Sequence, residues 1–351
     1  MRVLQVITLC ELGGAQSVVV NTANGICDDH EVIVASGDGD GKMWDMLDER
    51  VKRVQCKHLK REISLYNDVR AFMELRKLYK KYRPDIIHLH SSKAGILGRL
   101  AFPTKKTVYT VHGFDSIRVA HRSFLFLEKL MQYFCKAVVA VSCYDERNLL
   151  AEGIKNNVSR VYNGASALQF KEPLSFKLPE KYKKTVLCVA RISPQKNKAL
   201  FLEVASLLPE YAFVWIGNQE KVCEHPDNVF FMGNIPNAAV YTSLADVFFL
   251  PANYEGLPIV IIEAMSHGCP VVASNVGGVS ELVHNDVNGY ALENNAELFA
   301  EKIKYVLENK QVCDNMSKAS KEMYVKNFSV DKMVDGYKGV YNKVLGKKCF
   351  L

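Results

Sequence analysis

Short runs of β-branched and aromatic residues alternate with longer amphipathic stretches along the whole chain, and this alternation constrains the fold more than any other feature. In the first half the runs are RVLQVIT, HEVIVAS, PDIIHLHS, KTVYTVHG and KAVVAVS, separated by stretches such as DVRAFMELRKLYKKY. In the second half they are KTVLCVARIS, YAFVWIG, VFFMG, DVFFLP and PVVAS, separated by stretches such as NKALFLEVASLLP and NAELFAEKIKYVLEN. Strands alternating with helices predict βαβ units, and strands this uniformly apolar predict parallel sheets covered on both faces. The pattern lapses at Ala165 to Lys184, where prolines and lysines replace periodicity. A chain of 351 residues also exceeds what one core usually holds. The reading is an α/β protein of two domains, 1–165 and 185–330, joined by a linker at 166–184. SVDKMVDGYKGVYNKVLGKK supplies a terminal helix within 331–351 that packs back on the first domain. Ligands of such sheets lie beyond the carboxyl ends of the strands, so a cleft between the domains is the expected site.

Composition removes several function classes. The ten cysteines form no C-x-x-C pair, which fits neither a disulfide framework nor a zinc site and places them as small core hydrophobes in a reducing cytoplasm. No apolar run approaches the roughly 20 residues of a membrane span. MRVLQVITLCELGG meets Glu11 and a glycine pair too early for a signal peptide and reads as a first strand. Up to Ala165 there are 25 Lys and Arg against 18 Asp and Glu, so the net charge of +7 lies wholly in the first half. Lys57, Lys60, Arg61, Arg70, Arg76, Lys77, Lys80, Lys81 and Arg83 cluster there. They make either a solvated helix face or a surface attracted to anionic lipid. Nucleic acid is disfavoured, because no recognition motif accompanies these basic residues.

Functional residue types gather at the strand ends. LGGAQ, with Gly13 and Gly14, turns the first strand into a helix whose N–H groups can approach an anion. It lacks the G-x-G-x-x-G spacing of a dinucleotide site. KTVYTVHG ends at His112, and Gly113 leaves that imidazole room to meet a ligand. KTVLCVARIS ends at Arg191, with Lys196 five residues on. Two cations on one loop repel unless they share an anion, and a diphosphate suits a guanidinium fork beside an ammonium.

The stretch YEGLPIVIIEA holds two carboxylates, Glu255 and Glu263, around an apolar run. With Pro258 as the first helical residue, Glu255 lies just outside the helix and Glu263 about five residues along it, roughly 7.5 Å of rise. Gly256, Leu257, Pro258 and Ile259 then line an anion site between two acceptors of hydroxyl hydrogen bonds, with free N–H groups from the stretch Gly256 to Val260 other than Pro258. A sugar, a diphosphate and a ribose in sequence match that arrangement.

In this order, Gly13 and Gly14, the VHG at His112, the AVS ending at Ser142, the NG at Asn163 and Gly164, ARISPQKN, E-x7-E and GGVSELV from Gly277 to Val283, the chain resembles the retaining glycosyltransferases of family 4. The resemblance spans nearly the whole sequence. It implies the GT-B fold, two Rossmann-like domains facing across a cleft, the first binding acceptor and the second a nucleotide sugar. It implies that Glu263 holds the ribose, Glu255 contacts the transferred sugar, Arg191 and Lys196 clamp the diphosphate, and His112 lies near the reacting carbon. HSSKAGILGRLA, from His90 to Ala101, is similar to members that build bacterial capsule, exopolysaccharide or O-antigen on a lipid carrier. Two departures stand out: Ser166 where the family usually has an acid, and Gln16 where it commonly has Glu.

The expected activity is therefore a hexosyltransferase working with retention. Its donor is a nucleoside diphosphate sugar, with UDP favoured by prevalence in the family, and its acceptor a glycan or lipid-linked saccharide. No D-x-D type metal site is evident, and no cofactor beyond the donor is expected. The expected location is cytoplasmic, at the inner face of the plasma membrane, with IRVAHRSFLFLEKLMQYF (Ile117 to Phe134) as either a core helix or a lipid-facing one. A nucleotide-sugar hydrolase or epimerase of the same fold, and a non-catalytic nucleotide-sugar-binding subunit, remain as alternatives. A nicotinamide dehydrogenase lacks its fingerprint.

Overall fold

The computed structural model describes residues 1–119, 121–167, 175–218 and 221–347. The chain divides into two compact units, one of Met1–Gly164 with the C-terminal segment from Val330, the other Ala165–Ser329. The expected linker 166–184 falls partly outside the described residues, as does Cys349.

The first unit is built on seven parallel strands: β1 (Arg2–Ile7), β2 (Glu31–Ser36), β3 (Lys52–Gln55), β4 (Ile86–His90), β5 (Thr107–Val111), β6 (Ala137–Ala140) and β7 (Val158–Arg160). Their order in the sheet is β3-β2-β1-β4-β5-β6-β7, so the winding reverses between β1 and β4. The second unit has six parallel strands: β8 (Thr185–Val189), β9 (Ala212–Ile216), β10 (Val229–Phe231), β11 (Val247–Leu250), β12 (Val271–Ser274) and β13 (Gly289–Leu292), in the order β10-β9-β8-β11-β12-β13. It reverses between β8 and β11. Both are doubly wound sheets of the Rossmann type.

The apolar runs became strands because helices cover both faces of each sheet. In the first unit Leu4, Val6, Ile33, Ile87 and Leu89 are buried in one core. In the second, Phe201 meets Trp215 edge-on at 5.0 Å and stacks on Phe249 at 5.8 Å between ring centroids. The segments KRVQ, VSR and GYAL, now β3, β7 and β13, did not read as strands. They are three or four residues long and each ends its sheet; Lys52–Gln55 and Val158–Arg160 are largely uncovered there, while Gly289–Leu292 is buried but too short to show a pattern.

HSSKAGILGRLA forms the helix Ser92–Ala101, and its spacing has a packing cause. A Cβ on Gly95 would lie 2.5 Å from the Tyr109 ring, and one on Gly98 would lie 2.5 Å from Leu89. The two glycines therefore let the helix settle on β4 and β5. Arg99, 2% exposed, points inward. It donates to both carboxylate oxygens of Glu128 at 2.9 and 2.8 Å and to Gly95 O at 2.9 Å, with its guanidinium 4.1 Å over the Tyr109 ring. This fork joins the helix to Leu125–Met131, the short helix that carries Glu128.

The C-terminal helix Val330–Val344 packs against Gly14–Ile26, the helix after β1. A Cβ on Gly25 would lie 2.5 Å from Val334, and Lys338 reaches Asp29 at 3.4 Å. Gly164 N–H meets Met333 Sδ at 3.2 Å, which ties the NG turn to the same helix.

Candidate functional site

The decisive geometry lies where the second sheet reverses. The loops after β8 and β11 leave adjacent strands, and polar contacts bind them together. Asn253 N donates to Gln195 O at 2.8 Å, Gln195 Nε2 to Tyr254 O at 2.9 Å, and Asn253 Nδ2 to Pro194 O at 2.7 Å. Asn197, left-handed at φ 38°, caps the helix Lys198–Leu207 by accepting from Leu200 N and also donates to Asn253 Oδ1. These bonds place Lys196 Nζ 2.5 Å from Glu255 Oε1.

Sequence reasoning gave Lys196 and Arg191 a shared anion from outside. In this structure, which holds no anion, Lys196 is paired with the carboxylate of Glu255. The reason is burial: Glu255 is 6% exposed, and a carboxylate held so far from water needs a cation. Arg191 lies on the same loop and is exposed.

Gly277 and Gly278 support the Glu255 loop from the next strand. Gly278 N donates to Gly256 O at 2.7 Å, and a Cβ on Gly277 would fall 1.9 Å from Glu255 O. Only glycine permits this approach, at a φ of +59° that also favours it. Thus GGVSELV shapes the backbone on which the first carboxylate stands.

The helix after this loop is Ile259–Ser266, with Pro258 as its cap in an extended conformation (φ −69°, ψ 115°), one residue later than the sequence reading placed its start. The first turn closes through Ile261 N donating to Pro258 O at 3.1 Å, so the amides of Ile259 and Val260 precede the helical ladder and are available to an anion. Gly256 is half-buried, while Leu257, Pro258 and Ile259 are buried. Glu263 is the fifth residue of the helix. Its carboxyl has no hydrogen bond or ion pair among the described residues, and burial pushes it up to about 7.

In the first unit, Gly13 caps the helix Gly14–Ile26 with extended backbone, and Gln16 Nε2 donates to Leu9 O at 3.2 Å across the turn. A glutamate could not make that bond. His112 follows β5 and its Nε2 lies 3.0 Å from His90 Nδ1. Burial pushes its pKa down to about 4, so the ring is neutral at physiological pH. Ser142 caps the helix Cys143–Ala151 by accepting from Asp145 N at 2.9 Å. Asp145 Oδ1 in turn accepts from Phe114 N at 2.9 Å, which fixes the turn beyond His112.

The Glycosyl transferases group 1 family model matches residues 170–323, and the Glycosyltransferase Family 4 model matches residues 12–167. A UDP-Gal:alpha-D-GlcNAc-diphosphoundecaprenol alpha-1,3-galactosyltransferase of Escherichia coli is 31% identical over 339 residues, 86% of this chain and 86% of that one. The chain belongs to the family 4, group 1 glycosyltransferases. The capsular polysaccharide biosynthesis glycosyltransferase CapM of Staphylococcus aureus is 24% identical, over 87% of this chain and 88% of its own. Among solved structures, Anabaena Alr3699/HepE in complex with UDP and glucose superposes with a TM-score of 0.81 at 18% identity, covering 98% of this chain and 100% of that one. Sucrose-phosphate synthase from Thermosynechococcus elongatus gives 0.84 at 18% identity, with 98% and 99% covered. These likenesses give the glycosyltransferase its fold, GT-B.

Within this glycosyltransferase the structure brings Lys196 and Glu255 into contact and sets the Ile259 and Glu263 helix directly after them. Gly13, Gly14 and His112 stand at strand ends of the other unit. Sequence reasoning missed His88 and His90, whose H-x-H spacing inside an apolar strand was the available signal.

Proposed function

We propose that this glycosyltransferase moves a sugar from a UDP-sugar to a hydroxyl of a lipid-linked saccharide, with retention at the anomeric carbon, in bacterial surface polysaccharide synthesis. The observation that carries the reading is the pairing of Lys196 with the buried Glu255 at the mouth of a helix whose Glu263 carboxyl has no partner among the described residues. An arriving diphosphate competes with Glu255 for Lys196. As Lys196 turns to the phosphates, Glu255 is released to accept hydrogen bonds from hydroxyls of the transferred sugar. Arg191, Lys196 and the amides of Ile259 and Val260 take up the charge that develops on the departing diphosphate, a role that needs no metal ion. Retention follows if the acceptor attacks on the face from which the diphosphate leaves, with the leaving phosphate oxygen taking the acceptor proton.

The E. coli relative is named for a UDP-sugar donor and a diphosphoundecaprenol acceptor, which supports both choices here. A thermal-shift screen against UDP-, GDP- and ADP-sugars tests the donor. A ligand at 100 times its Kd adds about 2.7 kcal/mol to the folded state, so UDP-sugars are expected to raise the transition well above the others. An equal response to all three contradicts the UDP assignment.

Glu263 adds a pH dependence. Between the ordinary carboxylate range and about 7 the folded chain keeps a proton that the unfolded chain has released, so this group's contribution to stability falls as pH rises through that window and is constant above it. Ribose hydroxyls donate to the ionised form. Uridine, which carries no titrating phosphate, is therefore expected to bind about tenfold more tightly at pH 8 than at pH 6 by calorimetry. Glu263→Gln should flatten that profile, and a wild-type affinity independent of pH removes Glu263 from the ribose.

Membrane contact belongs to the same proposal. Among the described residues no helix is long and apolar enough to cross a membrane. In Ile117 to Phe134, Leu125, Glu128 and Met131 face inward, while Phe126 (78% exposed), Leu130 and Tyr133 face out beside Arg122 and Lys129. An apolar outer face next to basic residues favours the lipid-facing reading over the core reading. Phe126→Ser/Tyr133→Ser is expected to weaken sedimentation with phosphatidylglycerol vesicles at least about fivefold. Undiminished sedimentation would exclude this face.

A further inference from the structure

Three imidazoles form a row inside the first unit. His88 and His90 share one face of β4, and their ring centroids are 3.9 Å apart. His88 Nδ1 is 2.7 Å from the Tyr341 hydroxyl and its Nε2 is 2.7 Å from Thr110 Oγ1, so one end of the row is anchored to the C-terminal helix Val330–Val344 and to β5. At the other end His90 Nδ1 meets His112 Nε2 at 3.0 Å, with the two rings stacked at 5.2 Å. Burial holds all three well below the usual histidine range, and all three are neutral.

A hydrogen bond between two neutral imidazoles uses one proton, and its direction fixes both tautomers. The remaining nitrogen of His90 decides that direction. His90 Nε2 is fully buried and has no hydrogen-bond partner among the described residues. If His112 donated from Nε2, His90 would carry its own proton on Nε2 and strand an N–H in the core. If His90 donates from Nδ1, only a lone pair is left unmatched. Buried N–H groups without acceptors are the rarer case in folded proteins.

We infer that His90 is a positioning residue: its Nδ1–H donates to His112 Nε2, which fixes the His112 ring and places the His112 proton on Nδ1, the nitrogen with no partner among the described residues. His112 then offers a hydrogen-bond donor, not an acceptor, to an oxygen of the transferred sugar. This rests on the proposed sugar transfer, with His112 near the reacting carbon as the family resemblance implies.

The test uses the full chain labelled with ¹⁵N-histidine. Long-range ¹H–¹⁵N correlation at neutral pH reads the tautomer of each of the nine histidines, and His112 is assigned by its absence in His112→Gln. The expected spectrum has the His112 proton on Nδ1; a proton on Nε2 overturns the inference whatever any variant does. His90→Phe keeps ring volume and loses the donor, and is expected to lower kcat about tenfold or more while the donor KM stays within about twofold. His90→Asn keeps an N–H in place of Nδ1 and is expected to restore kcat to within about threefold of wild type and to retain the His112 tautomer. Wild-type kcat in His90→Phe overturns the positioning role. Full activity in His112→Ala overturns the sugar contact and the purpose assigned to Nδ1–H, whereas the wild-type tautomer decides the hydrogen bond separately.

Discussion

Lys196→Ala is expected to lower sugar transfer by about 100- to 1,000-fold, the scale of losing one preorganised donor to a departing anion. Because Lys196 also pairs with a buried carboxylate, the same change strands Glu255 and should cost about 1–3 kcal/mol of stability in the second unit. A loss of activity alone would therefore not separate a chemical role from a structural one. The double variant Lys196→Met/Glu255→Leu does so. Apolar residues of similar size often replace an ion pair without loss of stability, so its unfolding free energy is expected within about 1 kcal/mol of wild type. Its transfer rate is expected to stay as low as that of the single variant. Recovery of activity in the double variant would reduce the pair to a clip between two loops.

The largest expected effect on stability lies in the other unit. Arg99→Ala removes one partner of an ion pair that is almost wholly buried, with side-chain exposures of 1% and 5%, and leaves Glu128 without its fork and Tyr109 without its stacked guanidinium. Breaking such a pair costs about 3–5 kcal/mol, which for a unit of this size corresponds to a fall in Tm of about 10 °C. Urea unfolding followed by circular dichroism measures it. Arg99→Met/Glu128→Leu should recover most of the loss, and a single-variant cost below about 1 kcal/mol would mean that water already reaches the pair.

What the sequence revealed and what it hid divide along physical lines. Runs such as RVLQVI and VFFL could be read as strands because burial on both faces demands apolar residues at every position. KRVQ and VSR were opaque because an end strand is under no such demand. The candidate site residues, Glu255, Glu263 and Lys196 among them, could be singled out as residue types at strand ends. Their pairing could not, because Lys196 and Glu255 meet only through the bonds of Gln195 and Asn197 to Asn253, between loops that no periodicity aligns. The row of His88, His90 and His112 was hidden for a related reason. It needs β4, β5 and a helix some 250 positions further along, whose tyrosines read as ordinary core residues. HSSKAGILGRLA is similar to family members that build surface polysaccharide on a lipid carrier, and within it Gly95, Gly98 and Arg99 also meet the demands of close packing.

The account depends on Lys196 exchanging the Glu255 carboxylate for a diphosphate. A crystal structure of the chain soaked with UDP tests this most directly. It should place phosphate oxygens within hydrogen-bonding distance of Lys196 Nζ and of the amides of Ile259 and Val260, with the ribose hydroxyls on Glu263 and the Glu255 carboxylate vacated. Nucleotide bound elsewhere, with Lys196 still 2.5 Å from Glu255, would contradict it.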